Sequence, residues 1–240
     1  MRQAQAEAAR REAKRRRLIM LVGGLVILLL VGAIGWAVWS AAKEDGGSGG
    51  SGEVVVPANV TDGSIPVGQQ DAPVTVAIYF DYMCPACGQF EQANGEELDR
   101  MVEAGDIKVE LRPISFLDRT SSGTEYSTRS ANAIATVADQ SLDDVWAFHR
   151  ALYAEQPQEG STGLSDDEIA QIAEDAGVPA DVAAQFEDGT HEGWVAKVTE
   201  DAFDSGVEGT PTVLIDGEEF EGDLYTPGVL TQAVEAAAGS

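Results

Sequence analysis

At 240 residues with 44% apolar side chains, the chain can bury one sizeable core and still carry accessory segments. Its formal charge of −26 is unevenly placed: the first seventeen residues hold seven Lys/Arg against two Asp/Glu, so everything after them is more acidic still. So acidic a domain repels phosphate backbones and has no Gly-rich phosphate cradle, which excludes nucleic-acid binding and leaves the acidity as a solvated, soluble face.

The basic tail, residues 1–17, runs directly into Leu18 to Trp39, 22 residues without an ionisable side chain. A helix of that length reaches about 33 Å, enough for a hydrocarbon core of about 30 Å, so residues 18–39 are expected to cross a lipid bilayer. The basic flank belongs on the cytoplasmic side, and Trp36 and Trp39 suit the far interface, which places the following domain outside. A cleaved signal peptide is the rival reading, with Ser40-Ala41-Ala42 as the cutting site, although its apolar region is usually only about 7–15 residues long. Both readings export the domain. Residues 40–53 include the run Gly46 to Gly52, built only from Gly and Ser, and predict a flexible tether whose eleven residues 43–53 have a typical span of about 17–20 Å.

The folded part, residues 54–240, opens with Val54-Val55-Val56 and continues to Val74–Phe80, an apolar, β-branched run that predicts a central strand. After Cys84-Pro85 a helical pattern places Phe90, Leu98, Met101 and Val102 on one side and ends at Gly105. Ile107, Val109 and Leu111 alternate with Lys108, Glu110 and Arg112, a half-buried strand, so the unit closes as a right-handed parallel βαβ crossover. An all-helical insertion of about 120–205 follows, with segments near 126–140, 142–155, 165–176, 179–187 and 193–205. Ser165 to Glu168 has the form of a capping box, and Gly177 with Pro179 ends that helix. Trp146, Phe186, Trp194 and Phe203 are expected in the core, and His191 in a loop. Thr212 to Ile215 returns to strand, Asp216-Gly217 turns, and Glu219 to Glu221 pairs back. Thr226-Pro227 predicts an N-cap and first turn for a last helix packing Val229, Leu230 and Val234.

The chemistry concentrates in Cys84-Pro85-Ala86-Cys87, which holds the only two cysteines of the chain. At a strand-to-helix junction this spacing lets the sulfurs bond within one turn. Unpaired N–H groups at the helix start favour a thiolate on Cys84, expected to point outward as the nucleophile, with Cys87 resolving the mixed disulfide. Pro85 is preset for the first helical turn. Two other readings stand beside this one: a structural disulfide, or a zinc site completed by His149 and His191. Neither histidine has ligand-like spacing, and no metal or cofactor is expected. His149, next to Trp146, Phe148 and Leu152, reads as a packing or surface residue. Tyr82 and Met83 are placed on an apolar, substrate-facing rim.

The run Gly68 to Val76, then Phe80-Asp81-Tyr82-Met83-Cys84-Pro85-Ala86-Cys87, resembles DsbA-like thioredoxin-fold proteins of bacterial envelopes, and Gly209-Thr210-Pro211-Thr212 is similar to their cis-proline loop. Phe148 to Leu152 also resembles a recurrent segment of these proteins. The resemblance covers roughly residues 54–240 and implies an α/β thioredoxin fold, βαβ plus ββα, with the helical insertion. It further implies that Thr210 and Pro211 face the nucleophile and hold the substrate chain like an added strand. Two positions depart from the pattern. Ile78 stands where many thioredoxin-like proteins bury a proton-relaying carboxylate, so Asp81 either substitutes in the relay or is only a strand-end residue. Ala86 replaces the histidine of strongly oxidising members, which predicts an intermediate reduction potential. The function implied is that of a membrane-anchored extracytoplasmic thiol–disulfide oxidoreductase that introduces disulfides into exported proteins bearing thiols and is reoxidised by a membrane redox partner. An envelope reductase or isomerase, or a non-catalytic tethered binding module, are the alternatives.

Overall fold

The structure, a computed structural model, describes residues 54–239. The expectations for residues 1–17, 18–39 and 40–53 lie outside the described residues, among which no helix is long and apolar enough to cross a membrane.

Five strands form one sheet in the order β1-β3-β2-β4-β5: β1 Ile65–Val67, β2 Val74–Phe80, β3 Ile107–Pro113, β4 Thr212–Ile215 and β5 Glu218–Glu219. The predicted central strand is central. β2 pairs in parallel with β3, Val76 opposite Val109 and Ile78 opposite Leu111, and antiparallel with β4, Ile78 opposite Val213. Side chains alternate across a strand, so Val74, Val76, Ile78 and Phe80 share one face with Ile107, Val109 and Leu111, all buried in the main core. The other face of β2 carries half-buried Tyr79, beside the small cluster of Ile114, Ala202 and Val207.

Between β2 and β3 runs α1, Pro85–Ala104, ended by Gly105 in the left-handed conformation at φ 76°, its N–H donating to Met101 and Val102. Gly105 is the predicted stop. The insertion folds as α2 Tyr126–Gln140, α3 Val145–Ala154, α4 Asp166–Asp175, α5 Ala180–Ala183 and α6 Glu192–Asp204. The capping box at Ser165 and Glu168 is present with both reciprocal bonds. Asp216 and Gly217 both have positive φ, as a tight hairpin turn requires, and Asp216 also binds back to the Thr75 N–H and carbonyl. The chain ends in α7, Val229–Ala238, which buries Leu230 and Val234 and lies against α1.

Several local expectations are corrected. Val54 to Val56 are exposed and belong to no strand; the sheet edge is instead β1, a three-residue segment with Pro66 at its centre that carries almost no periodic signal. The segment expected at 179–187 breaks into α5 and a 3-10 turn at Phe186–Asp188. The return strand falls one or two residues early, at Glu218–Glu219. Thr226 does not cap α7: its hydroxyl donates to Asp223 and the cap position is Gly228, left-handed at φ 83°. Phe203 is 42% exposed, against Phe116, whereas Phe186 and Trp194 are buried as expected and Trp146 is half-buried.

His191 does lie in the turn before α6, but buried, with its ring Nδ1 2.9 Å from the Val55 carbonyl. Its N–H donates to Asn132 Oδ1 at 2.8 Å, while Asn132 Nδ2 donates to the Phe186 carbonyl at 2.9 Å, so one buried amide of α2 joins two turns of the insertion. Asn132→Ala leaves both backbone groups unpaired in the core and is expected to cost about 2–5 kcal/mol, read as a lowered urea midpoint in the full chain.

Candidate active site

Everything at the site follows from where α1 begins. Cys84 is its N-cap, extended at φ −75° and ψ 116°, with Pro85 in the first turn. The Cys84 N–H donates to the Asp81 carbonyl at 3.0 Å, and the Cys84 carbonyl accepts Cys87 N–H at 3.1 Å and Gly88 N–H at 3.3 Å. Both cysteines are free thiols. Cys84 is only 7% exposed and so does not point outward as expected; Cys87 is 1% exposed. The Cys84 sulfur lies under the loop before β4, 3.3 Å from the Thr210 carbonyl, and the Thr210-Pro211 bond is cis. The two motifs separated by more than a hundred residues are therefore in contact, as the resemblance implied.

Acidity divides unequally between the two sulfurs. Cys84 is lowered from 9.0 to about 6, first by the Cys87 thiol donating to it, then by Thr210 and the N–H groups of Cys87 and Ala86, with burial opposing. The helix start contributes, as predicted, but the partner thiol leads. Cys87 is pushed well above 9.0 by burial, then by its bond to Cys84 and the negative charge there. At pH 7 a thiol of pKa about 6 is about ten to one thiolate. A nucleophile and a protonated partner thus stand one turn apart.

Asp81 is buried, and its carboxylate accepts Met83 N–H at 2.8 Å, Leu117 N–H at 2.8 Å and the Ser127 hydroxyl at 2.7 Å. Burial raises it from 3.8 to about 7, against the pull of those donors. Tyr82 and Met83 are buried and form no rim. The Tyr82 hydroxyl meets His149 Nδ1 at 3.0 Å, and His149 Nε2 meets Glu91 of α1 at 3.2 Å. Although burial acts to raise Glu91, His149 and Arg150 hold it below the ordinary carboxylate range. His149 is therefore a packing residue, as expected, but one packed against the active-site segment. With His149 and His191 bound elsewhere, the zinc set is not assembled, and among the described residues no group of three or more His, Cys, Asp or Glu is placed to hold a metal.

Three residues of the site were not legible in the sequence: Tyr153, Gln156 and Tyr225. Tyr153 donates to the Asp81 carbonyl at 3.2 Å, and Gln156 donates to the Tyr82 carbonyl at 3.0 Å and the Cys84 carbonyl at 2.8 Å. The exposed aromatic at the site is Tyr225, 47% exposed. Its hydroxyl is raised by burial and then by the charges of Cys87 and Cys84. The Tyr225 loop is braced: Asp223 accepts Tyr225 N–H at 2.8 Å and the Thr226 hydroxyl at 2.6 Å, and Asn94 of α1 donates to the Leu224 carbonyl at 2.8 Å. No local pattern marks such a residue.

Comparison with known proteins bears on the whole domain. Residues 60–236 match the family described as Thioredoxin. The chain belongs to this thioredoxin family. Among solved structures, the reduced disulfide bond oxidoreductase DsbG of Mycobacterium tuberculosis is 28% identical with a TM-score of 0.65, over 74% of this chain and 88% of that one. MdbA of Actinomyces oris, a thiol-disulfide oxidoreductase, is 28% identical with a TM-score of 0.64, over 75% of this chain and 92% of that one. Serine/threonine-protein kinase PknE of Mycobacterium tuberculosis is 32% identical over 126 residues, 51% of this chain, and the match spans only 22% of that protein's length. The fold and the paired thiols of this thioredoxin-family chain are those of a thiol–disulfide oxidoreductase.

The Asp81 titration is testable in the oxidised protein, where neither cysteine ionises. Its folded pKa of about 7 lies above the ordinary 3.8, so between those values the folded state holds a proton that the unfolded chain has released. The resulting stability is fully present below about pH 4 and is lost as pH rises toward 7. Asp81→Asn places an amide against the Leu117 N–H and lowers stability overall, but it removes this slope. Urea midpoints at about pH 4.5 and 7.5 check it; an equal decline in both proteins refutes the assignment.

Proposed function

We propose that this chain is an extracytoplasmic thiol–disulfide oxidoreductase, anchored by residues 18–39 in the lipid bilayer, that introduces disulfides into exported proteins. The observation that carries the reading is the split acidity of the pair, Cys84 lowered to about 6 and Cys87 raised. In the oxidised form a substrate thiolate attacks Cys84 Sγ, forming a mixed disulfide and expelling Cys87, which takes up a proton. A second substrate thiolate then attacks the substrate sulfur of that bond and expels Cys84 as a stable thiolate. Two electrons have passed to the pair, and the substrate keeps the disulfide. A disulfide-bearing membrane redox partner takes those electrons back.

A stabilised thiolate favours the reduced pair and so makes the oxidised pair an oxidant. A Cys84 pKa of about 6 falls between the roughly 3.5 of DsbA and the roughly 7 of thioredoxin, which agrees with the intermediate potential read from Ala86. Thr210 and Pro211, beside the sulfur, are assigned to the substrate backbone. Asp81 is assigned to anchoring: its three donors tie the active-site segment to Leu117 and Ser127, which favours the strand-end reading over the proton relay.

In the full chain, Cys87→Ser is expected to accumulate mixed disulfides through Cys84, visible on non-reducing gels, and the wild-type potential against glutathione should fall between about −270 and about −120 mV. A variant that traps nothing identifies a binding module, and a potential at the thioredoxin end identifies a reductase. Tyr225→Ser is expected to slow exchange with an unfolded thiol-bearing polypeptide about threefold to tenfold, the loss of roughly 1 kcal/mol of aromatic contact, while exchange with glutathione is unchanged. Equal slowing with both substrates rejects a substrate contact at Tyr225.

A further inference from the structure

We propose that Gln156, just beyond α3, is a positioning residue whose side-chain amide fixes the Cys84 peptide and thereby sets the reactivity of the Cys84 sulfur. The inference rests on Cys84 being the nucleophile.

Three residues of the insertion, His149 and Tyr153 one turn apart on α3 and Gln156 just past its end, all reach the segment that carries the nucleophile. His149 meets the Tyr82 hydroxyl, Tyr153 donates to the Asp81 carbonyl, and Gln156 donates to the Tyr82 and Cys84 carbonyls. Of these only Gln156 touches the Cys84 peptide itself. The Cys84 carbonyl already accepts Cys87 N–H at 3.1 Å and Gly88 N–H at 3.3 Å, so the Gln156 bond at 2.8 Å is the shortest of three on that oxygen. Gln156 is fixed in its turn, its own N–H donating to the Tyr153 carbonyl at 3.3 Å.

Two consequences reach the sulfur. A carbonyl oxygen is the negative end of a dipole and disfavours a thiolate on the same residue; a donor on that oxygen withdraws charge from it. The same bond holds the Cys84 peptide in the orientation that leaves the N–H groups of Ala86 and Cys87 facing Sγ, where they help to lower it. Gly88 supplies an independent sign of the contact. The three atoms that a Cβ at residue 88 would meet first all belong to the Gln156 amide, so the amide in this position occupies the space that a side chain on α1 would take. Alanine is otherwise the better helix former, so the glycine serves the approach and not the helix.

The test is the ultraviolet absorbance of the Cys84 thiolate as a function of pH, in the reduced full chain. Gln156→Ala is expected to raise the Cys84 pKa by about one unit, an approximately tenfold loss of thiolate relative to thiol, in line with one hydrogen bond. Gln156→Glu, which keeps the length but turns a carboxylate on two carbonyls, should raise it at least as far. Gly88→Ala should displace the amide and give the same shift, with nothing added when it is combined with Gln156→Ala. A lowered urea midpoint with an unmoved titration makes Gln156 mere packing and overturns the proposal, as do Gly88 and Gln156 shifts that add. A low wild-type value that no variant moves overturns this inference alone. A wild-type Cys84 titrating in the ordinary thiol range overturns the nucleophile reading and this inference with it.

Discussion

The unlike surroundings of two thiols one helical turn apart are the constraint on which the whole site depends. Cys87 sits one turn inside α1, dry and hard to ionise, while Cys84 ends the extended segment before it and collects the Cys87 thiol, the first-turn N–H groups and Thr210. Neither position alone separates the pair: without burial Cys87 would titrate beside its partner, and without donors burial would raise Cys84 as well. The strand-to-helix junction makes the arrangement geometrically natural, because a short spacing there puts one residue outside the helix and the other within it.

Holding that junction falls largely to the insertion. Two glycines of α1, Gly88 and Gly95, stand seven residues apart and so share one helical face, and a Cβ at either would collide with an insertion side chain, Gln156 at the first and Arg150 at the second. Arg150 enters to meet the buried, ionised Glu91, which His149 also meets and which would be costly to bury unpaired. Close approach, charge pairing and the bonds of Tyr153 and Gln156 to the Asp81–Cys84 backbone thus act along a single interface between α1 and α3. The helical insertion is a brace for the reactive segment as well as a wall around it.

The reach of the sequence follows this division. β2 was legible to the residue because its apolar, β-branched run is nearly unbroken, β3 to within its last residue because burial of one sheet face imposes a two-residue period, and α1 because Pro85 and Gly105 mark its ends. The Cys84–Cys87 pair and Thr210-Pro211 were legible as motifs, and Asp81 as a polar residue in an apolar run. What failed depends on which distant element covers a side chain. Val54 to Val56 are apolar yet exposed, and Phe203, expected in the core, is 42% exposed beside Phe116. Conversely Tyr82 and Met83, adjacent to the nucleophile, are buried, Tyr82 against His149 and Tyr153 of α3. Gln156 and Tyr225 gave no signal because their importance comes from tertiary placement alone.

The position of Ile78 bears on the direction of the chemistry. It faces the core from β2, where a relaying carboxylate stands in many thioredoxin-like proteins, and the nearby carboxyl that does exist, Asp81, is occupied by three donors. Cys87 is therefore left buried with a firmly held proton. On the proposed reading, every mixed disulfide faces two fates. If Cys87 attacks, the substrate leaves reduced and the enzyme pair is oxidised; if the substrate's second thiolate attacks, the substrate leaves oxidised and Cys84 departs as a thiolate. The first route needs Cys87 deprotonated and the second does not, while the low pKa of Cys84 makes it a good leaving group in the second. On that reading, a Cys87 that keeps its proton slows reduction and substrate escape together, and the proposed oxidation of a dithiol substrate is the exit that does not need it.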